Sequence, residues 1–187
     1  MTASRCVTII GGGLAGLSLG VGLRKAGVPT EIVEAGDYPR HRVCGEFITG
    51  LEDETIEKLG IQAAFSGCES HRKVTWHLRE PVIGHQVLPS PARAISRFTL
   101  DARLAEMFVA IGGKLTLRTR INSAVVEPGV VRTSGRKPDG ASPWIGLKLH
   151  ARNFATAGEL EFFLGDGAYV VFSHSKGHER ALYPCLG

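Results

Sequence analysis

Hydrophobic and polar positions change period several times along the chain. A short apolar run, Cys6-Val7-Thr8-Ile9-Ile10, stops at three glycines. Leu14, Leu17, Val21 and Ala26 then fall roughly on one helical face, and Gly27 stands where such a helix closes. A second apolar run, Ile32-Val33, ends on Glu34. The order predicts strand, glycine turn, helix from about Leu14 to Ala26, and strand. Further on, a helix is predicted over Leu51–Leu59 with Gly60 as its stop, followed by a short helical turn near 61–65. Val74, Trp76 and Leu78 alternate with Thr75 and His77, which predicts a strand over Lys73–Leu78. Prolines break the stretch Pro81–Pro91, which reads as an edge strand and loop. Leu100, Leu104, Met107, Phe108 and Ile111 make an amphipathic stripe, with Thr99 as the cap and Gly112-Gly113 as the end. Lys114–Leu117 and Ile121–Val126 read as strands, and Glu127–Pro143 as a loop rich in Gly, Pro and Ser. Trp144–His150, Gly158–Leu164 and Ala168–Ser173 read as a three-stranded meander, with Asp166-Gly167 as a hairpin turn. From His174 the tail has little pattern.

The first of these patterns carries chemistry. Gly11-x-Gly13-x-x-Gly16 follows a strand and opens a helix. That is the order a dinucleotide-binding βαβ unit requires. Gly11 permits a sharp exit from the strand, Gly13 lets a pyrophosphate approach the backbone, and Gly16 lets the helix pack close to the sheet. The helix start offers unpaired N–H groups and a positive dipole end. Glu34 lies eighteen positions after Gly16. There its carboxylate can accept hydrogen bonds from ribose hydroxyls and would repel a 2′-phosphate, so NADP does not suit this pocket.

Composition narrows the class. The 187 residues are 43% hydrophobic and 21% charged, as in an ordinary globular protein. A net charge of +4 without a basic run argues against nucleic-acid binding. No apolar stretch approaches the ~18 residues of a spanning helix. The five-residue apolar start, leading straight into the glycine turn, does not read as a signal peptide. Cys6, Cys44, Cys68 and Cys185 lack CxxC spacing and read as reduced thiols of a cytoplasmic protein. His174-x-x-x-His178 has helical metal-ligand spacing, but Gly177 intervenes and no third ligand is evident, so no metal site is expected. No acid–base pair can be assigned as catalytic.

GGGLAG, EIVE, RHRVCGEF, ISRFTLDARL and WIGLKLH together resemble the FAD-dependent oxidoreductases that include geranylgeranyl reductases, with flavin-dependent halogenases and the para-hydroxybenzoate hydroxylase superfamily as wider relatives. The resemblance implies a Rossmann-like FAD/NAD(P)-binding α/β fold with part of an antiparallel substrate-domain sheet. It implies that Gly11, Gly13, Leu14, Ala15 and Gly16 hold the FAD pyrophosphate and that Glu34 binds the adenosine ribose. The Arg42–Glu46 stretch would pass beside the flavin, with Cys44 and Gly45 near the ring, Arg97 would reach the ribityl–phosphate, and Val125 or Val126 would offer backbone groups to the adenine. NAD(P)H would be the reductant, and a small molecule the substrate of a reductase or monooxygenase reaction. The implied domains are 1–72 and 91–126 for FAD, 73–90 and 144–187 for the partial substrate sheet, and 127–143 for a shortened junction.

Members of that group are longer, and their later G-D motif is not found here. The chain therefore reads as shortened, binding FAD weakly or not at all in isolation, with an apolar sheet face exposed unless a partner chain completes it. Two alternatives stand beside the oxidoreductase reading. One is a truncated, non-catalytic nucleotide-binding fragment. The other is an NAD-dependent Rossmann dehydrogenase, which the first βαβ unit alone allows.

Overall fold

A computed structural model of the chain describes residues 5–79, 81–122, 127–135, 145–151, 159–175 and 179–186. They form two compact units. The first comprises residues 1–40, 53–66 and 98–137, and the second 41–52, 67–97 and 138–187. The segment around Cys44-Gly45 and residues 67–72 and 91–97 thus belong with the second unit rather than with the glycine turn.

The first unit is built on strands β1 (Val7–Ile10) and β2 (Thr30–Val33), joined by helix α1 (Leu14–Lys25). β1 and β2 pair in parallel from Val7↔Thr30 to Ile10↔Val33. The helix closes as its sequence predicts. Gly27 takes φ +80° and donates to the Arg24 carbonyl, and Val28 donates to that of Leu23.

Numbering in chain order, the remaining elements are β3 (Phe47–Ile48), α2 (Asp53–Leu59), β4 (Glu69–Leu78), β5 (Val82–Ala94), α3 (Arg97–Ala110), β6 (Lys114–Thr116), β7 (Val130–Arg132), β8 (Ile145–Gly146), β9 (Leu149–Ala151), β10 (Leu160–Gly165), β11 (Ala168–Ser175) and β12 (Glu179–Leu186). A single 3-10 turn, Gln62–Phe65, fills the place predicted for a short helical turn. α3 starts at Arg97, so Thr99 lies inside it and is not its cap.

The first sheet has the order β6-β2-β1-β7, every pair parallel. β7 lies in the stretch predicted as loop and junction. Pro128-Gly129 makes only a turn, with the Val130 N–H bonded to the Glu127 carbonyl, and Val130-Val131-Arg132 then pair with Thr8-Ile9-Ile10. Ile121 and Asn122 are not in a strand, and the rest of the strand expected there lies outside the described residues. The core joins Ile9 and Ile32 of the sheet, Leu17 and Val21 of α1, and Leu100, Leu104 and Phe108 of α3, all fully buried. Each such side chain contributes about 1.5–3 kcal/mol of burial. The layers meet at Gly20, where a Cβ would lie 2.7 Å from Ile32 Cδ1 and 3.0 Å from the Phe108 ring.

The second unit is an eight-stranded sheet, β3-β5-β4-β10-β11-β12-β8, with β9 also on β12. It is mixed rather than antiparallel throughout, because β10 runs parallel to β4. β5 is one thirteen-residue strand where prolines predicted a broken edge. Pro89 and Pro91 fall where the β4–β5 register shifts between His71 and Lys73, so no regular ladder bond is asked of them. The hairpin turn at Asp166-Gly167 is as expected, with Gly165 opposite Ala168. The patternless tail contains β12, held by pairing with β11 from Ala168↔Leu186 to Ser175↔Glu179. The strand expected over Trp144–His150 is split into β8 and β9, and Trp144 lies outside the described residues, as does His178.

One face of this sheet is apolar: Val74, Ala92 and Leu160 are buried with Phe47, Trp76, Leu88 and Phe162 against them. Trp76 stacks on Phe162 at 4.6 Å. The alternate positions are more polar. His77 and Glu161 are buried with Nε2 and Oε2 3.7 Å apart, and the His77 ring stacks on Phe163 at 4.1 Å.

Candidate functional site

The glycine turn is the first candidate. Gly11 has φ +109°, a region that favours glycine, and a Cβ there would lie 2.6 Å from the Thr133 carbonyl oxygen. Both demands come from β1 and β7 arriving together. Thr133 braces the turn, its N–H bonded to the Ile10 carbonyl at 2.8 Å and its hydroxyl donating to the Gly11 carbonyl at 2.6 Å. At Gly16 a Cβ would lie 2.6 Å from the Thr133 hydroxyl and against the Gly11 carbonyl, so close packing of helix and turn requires glycine there.

Gly13 differs. A Cβ at Gly13 would meet nothing within 4 Å. It projects into open space at the start of α1, whose N-cap is Gly13 with no side-chain cap. The first helical bond runs from Leu17 N–H to the Gly13 carbonyl, so the N–H groups of Leu14, Ala15 and Gly16 have no acceptor within the helix. They lie at its positive end. α1 carries no acidic residue in its first turn.

Glu34 sits beside this turn, 5% exposed. Its Oε2 accepts the Gly12 N–H at 2.6 Å; its Oε1 accepts the Gly36 N–H at 2.8 Å and Arg40 Nη2 at 2.6 Å. Burial alone would raise its carboxyl, but the Gly36 and Gly12 N–H groups and the Arg40 charge outweigh it and hold it below the usual carboxylate value. An ionised carboxylate offers about four acceptor positions, so one remains for a ribose hydroxyl. Glu34 thus also buttresses the turn, a role not visible in the spacing. The Tyr38 hydroxyl donates to the Gly12 carbonyl. Arg40 Nε is buried without a hydrogen-bond partner among the described residues, a donor left for an added oxygen. Thr133 and Tyr38 were not singled out in the sequence, and Arg40 entered only as the first residue of the RHRVCGEF stretch, with no role given to it.

The other candidates lie in the second unit, around Glu46, the last residue of the stretch expected beside the flavin. Glu46 has φ +54°, and its side chain is fully buried. Its Oε1 accepts from the Ser96 hydroxyl at 2.8 Å, the Arg97 N–H at 3.3 Å and the Lys148 ammonium; Oε2 faces His150 Nε2 at 3.3 Å. Its carbonyl accepts the Ile95 N–H at 2.9 Å. Burial would raise this carboxyl, but the bonds from Lys148 and Ser96 and the charges of Lys148 and His150 bring it below the usual value. Arg97 is therefore placed at the start of α3 by its own N–H. Cys44 is a partly exposed free thiol. At Gly45 a Cβ would lie 2.6 Å from the Phe47 ring, and the Gly45 carbonyl accepts the Ser173 hydroxyl at 2.8 Å. This glycine answers to a ring of the protein itself. Arg42 is partly buried in the same segment. Val125 and Val126 lie outside the described residues.

Among the described residues no helix is long and apolar enough to cross a membrane. The fold recurs in solved flavoproteins. A flavoprotein/dehydrogenase from Cytophaga hutchinsonii matches 98% of this chain and 56% of its own, with a TM-score of 0.77 at 14% identity. The flavin-dependent brominase Bmp2 matches 97% and 56%, with a TM-score of 0.73 at 17% identity. 2-Methyl-3-hydroxypyridine-5-carboxylic acid oxygenase, as its Y270A mutant, matches 98% and 59%, with a TM-score of 0.73 at 14% identity. In sequence, the menaquinone reductase of Mycolicibacterium smegmatis is 25% identical over 123 residues, which are 62% of this chain and 29% of that protein. The chain thus spans under a third of that relative and a little over half of the three solved structures.

FAD fits the cradle on this chain's own terms. There is open space over Gly13, the N–H groups of Leu14, Ala15 and Gly16 have no acceptor within the helix, and Arg40 Nε lacks an acceptor among the described residues. Residues 5–121 match the family described as FAD binding domain. That match runs from just before β1 through the turn, α1 and Glu34 to α3 and β6, more than half of the chain, and the chain belongs to the FAD binding domain family.

Proposed function

We propose that this chain contributes the FAD-binding part of an FAD-dependent oxidoreductase acting on a small molecule. The observation that carries the reading is the open space over Gly13 at the uncapped start of α1. Gly11 and Gly16 hold the turn closed behind that space, and the N–H groups of Leu14, Ala15 and Gly16 bind the pyrophosphate. Glu34 accepts a ribose hydroxyl while its other acceptor positions hold Gly12, Gly36 and Arg40 in place. Arg97 serves the ribityl–phosphate, Arg42, Cys44 and Gly45 flank the ring, and the backbone at Val125 serves the adenine. When bound, FAD supplies two-electron transfer, with NAD(P)H as the source of reducing equivalents. The chain's own residues bind and orient it. The menaquinone reductase relative and the oxygenase and brominase folds support an oxidoreductase without choosing between reductase and monooxygenase chemistry. The reading places the protein in the cytoplasm, with a partner chain over the exposed Val82, Ile83 and Val87 of β5.

The test is titration of the purified chain with FAD, followed by quenching of flavin fluorescence. Saturable quenching is expected, with weak affinity, because the chain spans only part of the neighbours' length. Gly13→Val should weaken it at least tenfold without changing the fold, since its side chain meets only the ligand space. No saturable binding by the unsubstituted chain up to millimolar FAD, or equal binding by Gly13→Val, refutes the reading. Tighter binding of NAD than of FAD would instead favour the dehydrogenase.

A further inference from the structure

The glycine turn holds a glycine outside the fingerprint, Gly12, and the protein itself occupies both of its backbone polar groups. The 11–12 peptide is pinned at both ends. The Gly12 N–H donates to Glu34 Oε2 at 2.6 Å, and the Gly11 carbonyl accepts the Thr133 hydroxyl at 2.6 Å. The 12–13 peptide is pinned at one end. Its carbonyl, that of Gly12, accepts the Tyr38 hydroxyl. Its N–H, that of Gly13, has no acceptor among the described residues. A trans peptide is planar, and its C=O and N–H point in opposite directions. Holding the Gly12 carbonyl on Tyr38 therefore turns the Gly13 N–H away from Tyr38. Among the described residues that hydroxyl is the one bond this peptide has. Glycine stands on both sides of it, so the backbone itself resists rotation of the peptide least of all. A rotated peptide would present a carbonyl oxygen where the N–H now stands. The packing is built around the same bond. Gly12 is buried, and a Cβ on it would fall on the Tyr38 hydroxyl and lie 3.1 Å from Glu34 Cβ.

We propose that Tyr38 is a positioning residue for the cofactor's pyrophosphate. By holding the Gly12 carbonyl it keeps that oxygen, which phosphate oxygens repel, turned aside. It also fixes the Gly13 N–H as a donor in addition to those of Leu14, Ala15 and Gly16. The inference rests on the FAD reading and adds to it a side chain that lies outside the glycine fingerprint and acts through the backbone. Phenylalanine in this place would fill the same space and leave the peptide unheld.

The experiment compares the 187-residue chain with its Tyr38→Phe variant, which loses one hydroxyl and keeps the ring. FAD affinity, from quenching of flavin fluorescence, should fall about three- to tenfold, the worth of one neutral hydrogen bond. A second readout separates positioning from general loosening. In the flavin-free, ¹⁵N-labelled chain saturated with ADP, which carries the same pyrophosphate, the amide protons of Gly13, Leu14, Ala15 and Gly16 should move downfield. In Tyr38→Phe the Gly13 response should shrink while the other three keep theirs; a turn that had merely loosened would lose all four alike. If the unsubstituted chain binds FAD, equal affinity in Tyr38→Phe overturns this inference alone. So does a Gly13 response that is unchanged or falls no more than the other three. No saturable FAD binding by the unsubstituted chain overturns the FAD reading, and this inference with it.

Discussion

Replacing Glu46 by glutamine keeps the side chain's shape and removes one buried negative charge. The Lys148 ammonium, 8% exposed, then loses its counter-charge where water cannot replace it. Breaking a buried pair by removing one partner costs about 3–5 kcal/mol. The amide oxygen can still accept from Ser96 or Lys148, which places the loss near the lower end, about 3 kcal/mol. That is a large share of the 5–15 kcal/mol typical of a folded domain. The measurement is urea unfolding followed by tryptophan fluorescence, with Trp76 stacked on Phe162 as the reporter inside the second unit's core. Exchange of the Ile95 amide, bonded to the Glu46 carbonyl, gives a second local readout. The double substitution Glu46→Gln with Lys148→Met separates lost attraction from stranded charge. If the cost is the stranded ammonium, the double variant recovers at least 1 kcal/mol over Glu46→Gln alone. A loss below about 1 kcal/mol in Glu46→Gln would show that the ammonium finds solvent or another partner. No recovery in the double variant would show that Lys148 was not the cause. Either result refutes the reasoning.

Three other outcomes are expected. Gly20→Val should destabilise the first unit by about 1–3 kcal/mol through overpacking, since even a Cβ would stand 2.7 Å from Ile32 Cδ1; thermal melting measures it. Gly11→Ala should cost at least about 1–2 kcal/mol for a side chain at φ +109°, with a clash on the Thr133 carbonyl added; both the melt and the FAD titration should register it. For pH, the folded-state carboxyls of Glu34 and Glu46 both lie below their unfolded value, so their contribution is complete above the unfolded pKa of about 4.3 and is lost as pH falls through the lower folded values. Stability should therefore decline below about pH 4, and Glu34→Gln should flatten that decline in urea melts between pH 2 and 6 (the range spanning both states).

What the linear order of residues settled was local. The β1–α1–β2 unit was legible because each signal acts within a few positions: a period of two, a glycine turn, a period of 3.6, and Gly27 at φ +80° after the helix. The amphipathic stripe of α3 was legible for the same reason, although its start was placed too late. The fingerprint glycines and Glu34 fall together as expected, since one turn and one parallel pair carry them all.

Only tertiary structure decided the rest, because the deciding partners are remote in sequence. β7 is a strand because β1 offers it a free edge, and Thr133 becomes part of the turn from 122 positions away. β12 is a strand because β11 templates it, whatever the weak pattern of the tail. The prolines of β5 are tolerated because the ladder shifts register where they stand. The polar cluster shows the limit most clearly. The strand expected over Trp144–His150 did not say which side chains turn inward. Glu46, 102 positions before Lys148, decides it, since a buried carboxylate is stable only with a cation and donors brought to it. Short-range periodicity can count faces; which face is inside depends on what the fold places against it.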